Sequence, residues 1–264
     1  MNGVHKTLYI PLYGKAYVSR KGVILQDQKA EEIWQAEGFP LKGKAKSRWL
    51  AYYMAMRARV FDRWTEQQLQ YNPEAVVLQI GCGMDSRVLR VKEQAAAWFD
   101  MDFAEVIEER KRYFTEGNGY TMLAGDARQT GWLSALPDGK DAVVVMEGIS
   151  MYLTRPERKQ LMQALCRKFR CVQLMEDSYT GLAVKMSRLK NPVHGVGVGQ
   201  VYGMDDPDEE IQGTCMGYVK KHDMTPDALV NELQGTERFL FRKLYAGKLS
   251  DKLYCLYEFQ KGRD

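Results

Sequence analysis

The sequence predicts an α/β protein built on a doubly wound, mostly parallel sheet. From about residue 73 onward, short apolar runs that suit buried strands alternate with segments of helical character. A glycine pair, Gly81 and Gly83, follows the first run directly, and acidic residues follow the next three runs. Glycines and carboxylates in these places are typical of the carboxyl edge of such a sheet, where ligands bind.

Five runs are predicted as strands because each is short, apolar and bounded by polar or turn residues. In chain order they are residues 76–80, 96–100, 121–123, 142–146 and 171–175. Helices are expected between most of them. One starts near Ala104, and another is opened by Thr154, with Glu157 completing a capping box.

Upstream of the strands, residues 1–72 are predicted to form an N-terminal helical extension. Asp27 is the expected N-cap of a helix through Trp34. A second, long helix is predicted from about Lys46 to Leu69, with Arg57 on its apolar stripe.

The whole chain, 1–264, is interpreted as one domain whose cofactor-binding core is 73–190. A glycine-rich lid or acceptor loop is expected over 191–217, followed by a C-terminal helix and strands over 218–264. Two apolar runs, 239–241 and 253–257, are expected to pair as a C-terminal antiparallel hairpin.

Composition narrows the class of protein. The 38 lysine and arginine residues against 34 acidic residues give a net charge of +4, spread along the chain, so nucleic acid is not the expected partner. Five cysteines without a C-x-x-C pair predict neither a disulfide framework nor a zinc site and fit a reducing compartment. No signal-peptide pattern or long apolar span is present, which favours a cytoplasmic protein without a membrane partner.

The residues at the strand ends suggest a nucleoside ligand. Asp102 ends the second strand region, where a carboxylate can accept both ribose hydroxyls, while Asp126 and Glu147 follow the third and fourth strands. Arg57 supplies a cation suited to a carboxylate, either of a ligand or of a structural acid. A tight turn without a ligand is the less favoured explanation of the glycines. A nicotinamide-dependent oxidoreductase shares the strand, the glycine pair and the distal acid, but the missing third glycine and Arg57 weigh against it.

Six motifs together resemble the leucine carboxyl methyltransferase family, in its bacterial branch of O-methyltransferases of polyketide biosynthesis. They are Thr7–Ala16, Arg57–Asp62, Gly81–Arg87, Asp100–Asp102, Glu147–Leu153 and Tyr202–Pro207. The resemblance implies a class I methyltransferase (Rossmann-like) fold and S-adenosylmethionine as the methyl donor. Cys82 departs from the alanine usual there, and Asp126-Ala127-Arg128 is a shortened form of the family's segment.

The same resemblance implies roles for individual residues. Arg57, together with Lys15, would hold the methionyl carboxylate, and Glu147 would face the methionyl end. Gly81 and Gly83 would line the cofactor turn, Asp102 would hold ribose, and Asp126 with the Ala127 backbone would hold adenine.

The expected reaction is methylation, by in-line displacement, of a carboxylate on a small, polyketide-like molecule, with Tyr13, Tyr152, His194 and Tyr202 as candidate contacts of the acceptor. A carboxylate acceptor is already ionised at neutral pH and needs no base, whereas a phenol benefits from one. The residues leave open a polyketide acid, another small acid, a phenol or a protein C-terminus. They also leave open an NAD(P)-dependent oxidoreductase, or a protein that binds S-adenosylmethionine without catalysis.

Overall fold

A computed structural model describes residues 3–38, 43–91, 95–189 and 200–262. These residues form one seven-stranded sheet in the order β3-β2-β1-β4-β5-β7-β6. The strands are β1 (Val76–Ile80), β2 (Ala97–Asp102), β3 (Tyr120–Ala124), β4 (Asp141–Met146), β5 (Cys171–Tyr179), β6 (Gly217–His222) and β7 (Tyr254–Lys261).

The sheet is doubly wound and mostly parallel, as the sequence predicts. Strands β1 to β5 are parallel, and β7 runs antiparallel between β5 and β6. Because strands β1 to β5 are parallel, their carboxyl ends lie at one edge of the sheet. The strand order reverses between β1 and β4, and a crevice for ligands is typical of that point. All five predicted parallel strands start within two residues of their observed starts. The central strands β1 and β4 are buried along their whole length, as their continuous apolar runs indicate.

Eleven helices in the described ranges surround this sheet. They are α1 (Gly3–Lys21), α2 (Gln28–Glu37), α3 (Arg48–Tyr71), α4 (Arg87–Val91), α5 (Ala104–Arg110), α6 (Arg155–Lys168), α7 (Gly181–Leu189), α8 (Pro207–Ile211), α9 (Asp227–Val230), α10 (Gly235–Tyr245) and α11 (Lys248–Asp251). None of them is apolar enough over a sufficient length to cross a membrane.

Of the N-terminal helices, α1 packs against α2 and α3, and α3 packs against β4 of the sheet. Asp27 caps α2 by accepting from the Ala30 N–H at 2.9 Å, and α3 carries Arg57, as predicted. Helix α1 continues through Pro11 and Gly14, residues that interrupt the apolar pattern in the sequence. A Cβ at Gly14 would lie 3.1 Å from the Ala51 carbonyl oxygen, so glycine allows α1 to approach α3 closely.

The predicted C-terminal hairpin is wrong in one of its two strands. Residues 239–241 belong to α10, and the antiparallel partner of β7 is instead β6. Two physical features explain why the sequence does not predict the correct strand. A three-residue apolar run suits a helix as well as a strand. In addition, β6 is a largely exposed edge strand, and its polar residues give no apolar run from which a strand could be predicted.

The described part of the expected lid, residues 200–217, packs against the body of the protein. Met204 and Ile211 are buried, and Arg158 on α6 forms an ion pair with Glu210 of α8. Cys166 of α6 and Cys215 form a disulfide, with their Cα atoms 6.4 Å apart. The expectation of no disulfide is therefore wrong, because the pairing depends on this tertiary contact and no sequence motif marks it. Residues 190–199, including His194, lie outside the described ranges.

Candidate active site

A cavity of about 1220 Å³ opens at the carboxyl ends of β1 to β4. Ligand pockets commonly measure roughly 300–1,000 Å³, so this cavity has room for a nucleoside cofactor and a second small molecule together. The predicted cofactor residues all line it: Lys15, Arg57, Gly81, Gly83, Asp102, Asp126, Ala127 and Glu147. The fold therefore brings together side chains from α1, α3 and the ends of four strands.

The turn after β1 presents its backbone to the cavity. Gly81 and Gly83 have φ values of 72° and 49°, in the left-handed region that favours glycine. A Cβ at Gly81 would lie 2.1 Å from Cγ2 of Ile149, a distance that no side chain tolerates. The cavity therefore includes a glycine cradle at this turn, as expected where backbone approaches a nucleoside cofactor.

Asp102, at the end of β2, is bound to the glycine turn. Its Oδ2 accepts from the Gly83 N–H at 2.8 Å and its Oδ1 from the Phe103 N–H at 2.8 Å. Burial raises the pKa of Asp102 above its ordinary value, although these two N–H donors oppose the rise. The carboxylate lies at the cavity wall with its remaining lone pairs available to hydroxyl donors.

Asp126, after β3, is held by its neighbour Arg128. The guanidinium donates to both carboxylate oxygens, with Nε at 2.9 Å from Oδ1 and 3.0 Å from Oδ2. Hydrogen bonding to Arg128 lowers the pKa of Asp126, so this residue stays ionised. The local pair fixes the Asp126 carboxylate at the cavity wall.

Arg57 of α3 is the centre of a buried ion cluster. Its Nε donates to Glu147 Oε1 at 2.9 Å, and its Nη1 donates to Asp177 Oδ2 at 2.9 Å and to the Tyr254 hydroxyl at 2.8 Å. Burial opposes the charged guanidinium, but Tyr254, Glu147 and Asp177 outweigh it and hold the pKa of Arg57 well above its ordinary value. Arg57 is therefore a permanent cation at the cavity wall, 4% exposed, with Nη2 making none of these bonds.

Lys15 of α1 forms a second buried ion pair next to the glycine turn. Its Nζ lies 2.6 Å from Asp85 Oδ2, and both residues line the cavity. Burial would raise the pKa of Asp85, but Lys15, Arg87 and Arg90 hold it well below its ordinary value. These contacts join the N-terminal extension to the segment that follows the glycine turn.

The other half of the cavity is apolar and aromatic. Its walls come from α3, α7, α10 and α11, and include Trp49, Tyr53, Met54, Met186, Leu244 and Leu249. Tyr152 lines the cavity as expected for an acceptor contact. Tyr13 packs instead on Trp34, with ring centroids 5.0 Å apart, and neither Tyr13 nor Tyr202 is among the lining residues. The structure does not bring these two tyrosines to the cavity.

Three side chains that contact Arg57 or Glu147 were given no role in the sequence-based interpretation. Asp177 lies on β5 and was detectable, since it is a further acid near the end of a predicted strand. Tyr254 begins β7 and reaches the cluster only because β7 inserts next to β5. Arg87, within the glycine motif, donates to Glu147 Oε2 through Nη2, and no sequence pattern indicates that contact.

Comparisons with known proteins give the class. The leucine carboxyl methyltransferase family model matches residues 10–166. The chain is 28% identical over 209 residues to the tetracenomycin polyketide synthesis O-methyltransferase TcmP of Streptomyces glaucescens, covering 78% of this chain and 77% of that one. It is 28% identical over 232 residues to the S-adenosyl-L-methionine-dependent methyltransferase dpfgK of Gibberella zeae, covering 79% and 78%.

Solved structures share the fold at low identity. A DUF574 family protein from Streptomyces avermitilis superposes with a TM-score of 0.62 at 9% identity, covering 89% of this chain and 90% of that chain. Magnesium protoporphyrin IX methyltransferase from Synechocystis, solved with bound S-adenosylhomocysteine, gives a TM-score of 0.53 at 12% identity, covering 89% and 94%.

The sheet order is that of a class I methyltransferase fold, and the family and its relatives show an enzyme that uses S-adenosylmethionine. The chain belongs to the leucine carboxyl methyltransferase family. The alternative of an NAD(P)-dependent oxidoreductase is not favoured by these findings, nor is a non-catalytic binding protein.

Proposed function

We propose that this enzyme methylates a carboxylate of a small, largely apolar acid, of the kind made in polyketide biosynthesis. S-adenosylmethionine supplies a methyl group on a positively charged sulfur. An acceptor oxygen forms the new C–O bond as the C–S bond breaks, with its electron pair left on sulfur, to give a methyl ester.

The proposed cofactor placement uses the residues that line the polar half of the cavity. Arg57 and Lys15 hold the methionyl carboxylate, while Glu147 faces the methionyl ammonium. Asp102 accepts the ribose hydroxyls, and Asp126 with the backbone of Ala127 holds adenine. Support comes from the cavity that all of these residues line and from the permanent charge of Arg57.

The observation that carries the choice of a carboxylate is the lack of a proton acceptor among the described lining residues. Asp85, Asp126 and Glu147 are each paired with a cation. Burial raises the pKa of Asp102, but in the proposed placement its oxygens are occupied by the ribose hydroxyls and by two backbone N–H groups of the glycine turn. A phenol, with an ordinary pKa near 10, would find no base there, whereas a carboxylate needs none.

The tyrosines at the apolar half agree with that choice. Burial raises the pKa of Tyr53 and Tyr179, so both hydroxyls stay protonated and act as donors. Donors of this kind suit an anionic acceptor oxygen. The apolar walls suit the carbon skeleton of the acid, and the relative TcmP is named for polyketide synthesis.

The experiment is a methyl-transfer assay with labelled S-adenosylmethionine and two matched sets of aromatic compounds, one carrying carboxylates and the other phenols. Methyl esters release labelled methanol in alkali, whereas aryl methyl ethers do not. We expect label only in the alkali-labile fraction, with kcat/KM level from about pH 6 to 9 because no catalytic base titrates. Stable aryl ethers, with a rate that rises toward the phenol pKa, would overturn the proposal.

A further inference from the structure

Arg87 lies immediately behind the cofactor site. It is the first residue of α4, is fully buried, and is not among the residues that line the cavity. Its Nε donates to Asp62 Oδ1 at 2.8 Å, and its guanidinium carbon lies 5.5 Å from the centroid of the Phe61 ring. Both contacts come from α3, at residues that do not line the cavity, so α3 fixes the position of the Arg87 guanidinium.

A second nitrogen of the Arg87 guanidinium, Nη2, reaches Glu147 and also lies 3.8 Å from Asp85 Oδ2. Nη2 of Arg87 donates to Glu147 Oε2, while Nε of Arg57 donates to the other oxygen, Oε1, at 2.9 Å. One carboxylate is thus held between two guanidiniums, one on each oxygen. Two charge-assisted bonds of this kind fix the plane of the carboxylate as well as its position.

The charges around Arg57 show why the second guanidinium matters. Arg57 already contacts the carboxylates of Glu147 and Asp177. A methionyl carboxylate would bring a third anion to the same guanidinium, and like charges at short range repel strongly in a buried site. Arg87 compensates part of the Glu147 charge from behind, which leaves Arg57 able to bind the incoming carboxylate.

We propose that Arg87 is a positioning residue that sets the orientation and charge balance of Glu147, and thereby the affinity of the site for the amino-acid end of S-adenosylmethionine. The inference rests on the proposed placement of that end at Arg57 and Glu147. Arg87 itself touches neither the cofactor nor the acceptor.

The test compares two adenosine ligands by titration calorimetry. S-adenosylhomocysteine carries the amino-acid chain, and 5′-methylthioadenosine has the same adenine, ribose and sulfur without it. The ratio of their dissociation constants therefore reports on the amino-acid end alone. A general loss of folding would weaken both ligands and leave this ratio unchanged.

The variant is Arg87→Lys, which keeps a buried cation but loses the fork that joins Asp62 to Glu147. We expect S-adenosylhomocysteine to bind about tenfold more weakly, with 5′-methylthioadenosine changed by less than about twofold. The matched control is Arg158→Lys, since Arg158 is also buried and paired with a carboxylate, Glu210, but lies outside the cavity. It should leave the ratio at its wild-type value.

A double variant tests whether Arg87 acts through Glu147. Glu147→Gln should change the ratio by itself, and adding Arg87→Lys should then have little further effect. Additive effects in this cycle would overturn the proposal, as would an unchanged ratio in Arg87→Lys. Failure of the wild-type enzyme to bind S-adenosylhomocysteine would instead contradict the cofactor assignment itself, so the two failures are distinguishable.

Discussion

Arg57 and Glu147, separated by 90 positions in the chain, are joined by a 2.9 Å hydrogen bond at the wall of the cavity. One residue comes from the N-terminal helix α3 and the other follows β4, so the bond forms only when the extension packs on the sheet. The cavity, and with it the proposed cofactor site, is therefore built from both parts of the chain.

Replacing Arg57 tests the cation of the site. Arg57→Ala should weaken S-adenosylhomocysteine binding more than tenfold, on the scale of about 1.5–3 kcal/mol for a charged hydrogen-bond pair. Arg59→Ala is the matched control, because Arg59 lies on the same helix, pairs with Glu66 and does not line the cavity. Calorimetry measures both, and equal affinities in the two variants would remove Arg57 from the site.

The glycine turn gives a prediction about stability. Gly81→Ala should destabilise the protein more than Gly22→Ala, although both glycines have similar φ values of 72° and 69°. The added Cβ meets Ile149 at Gly81 and nothing within 4 Å at Gly22. Backbone strain is common to both variants, so a difference of about 1–3 kcal/mol in denaturant unfolding would measure the clash. Equal losses would mean that Ile149 moves aside freely.

Glu176 on β5 predicts a pH dependence of stability. Burial raises its pKa from 4.5 to about 7, and Asp177 and Glu210 add to the rise while Arg158 opposes it. The folded state thus favours the protonated form. The contribution of Glu176 to the free energy of unfolding therefore falls as the pH increases from about 4.5 to about 7, by about 3 kcal/mol in total. Above that range its contribution is constant.

Glu176→Gln should therefore raise the free energy of unfolding at pH 8 and have little effect at pH 4.5. Glu258→Gln is the control, because it should change the free energy of unfolding at pH 8 in the opposite direction. Burial would raise the pKa of Glu258, but its bond with His222 helps to lower it, so its ionised form stabilises the fold above its ordinary pKa. A Glu176→Gln variant that loses stability at pH 8 would contradict this assignment.

Because of the disulfide, we expect the stability of the protein to depend on reducing agents. Cys166 and Cys215 are 49 positions apart, and closing a loop of that length stabilises a protein by roughly 4 kcal/mol in the chain-entropy account. A reductant should lower the denaturant midpoint of the wild-type protein and leave that of Cys215→Ser unchanged. If the reductant has the same effect on both, the bond does not contribute.

The sequence predicted the parts of the fold that depend on local pattern. Buried strands such as 142–146, the Asp27 cap and the acids after successive strands follow from short-range physics, and the structure has all of them. Within the helical extension predicted over residues 1–72, the bounds of α1 could not be predicted, because Pro11 and Gly14 disfavour helix locally and packing against α3 overrides that preference.

The parts that depend on tertiary contacts could not be predicted in the same way. Tyr254 reaches Arg57 only because β7 inserts between β5 and β6, and Arg87 reaches Glu147 only across the packed interior. No spacing rule connects those residues. Asp177 is the exception, since the rule that identified Glu147 applies to it equally.

The most direct test of the account is a parallel calorimetric titration of the wild-type protein with S-adenosylmethionine, S-adenosylhomocysteine and NADH. The account predicts saturable binding of both adenosyl compounds, with dissociation constants of about micromolar order, and no binding of NADH. Binding of NADH without the adenosyl compounds would contradict the assignment of the cavity to a methyl donor.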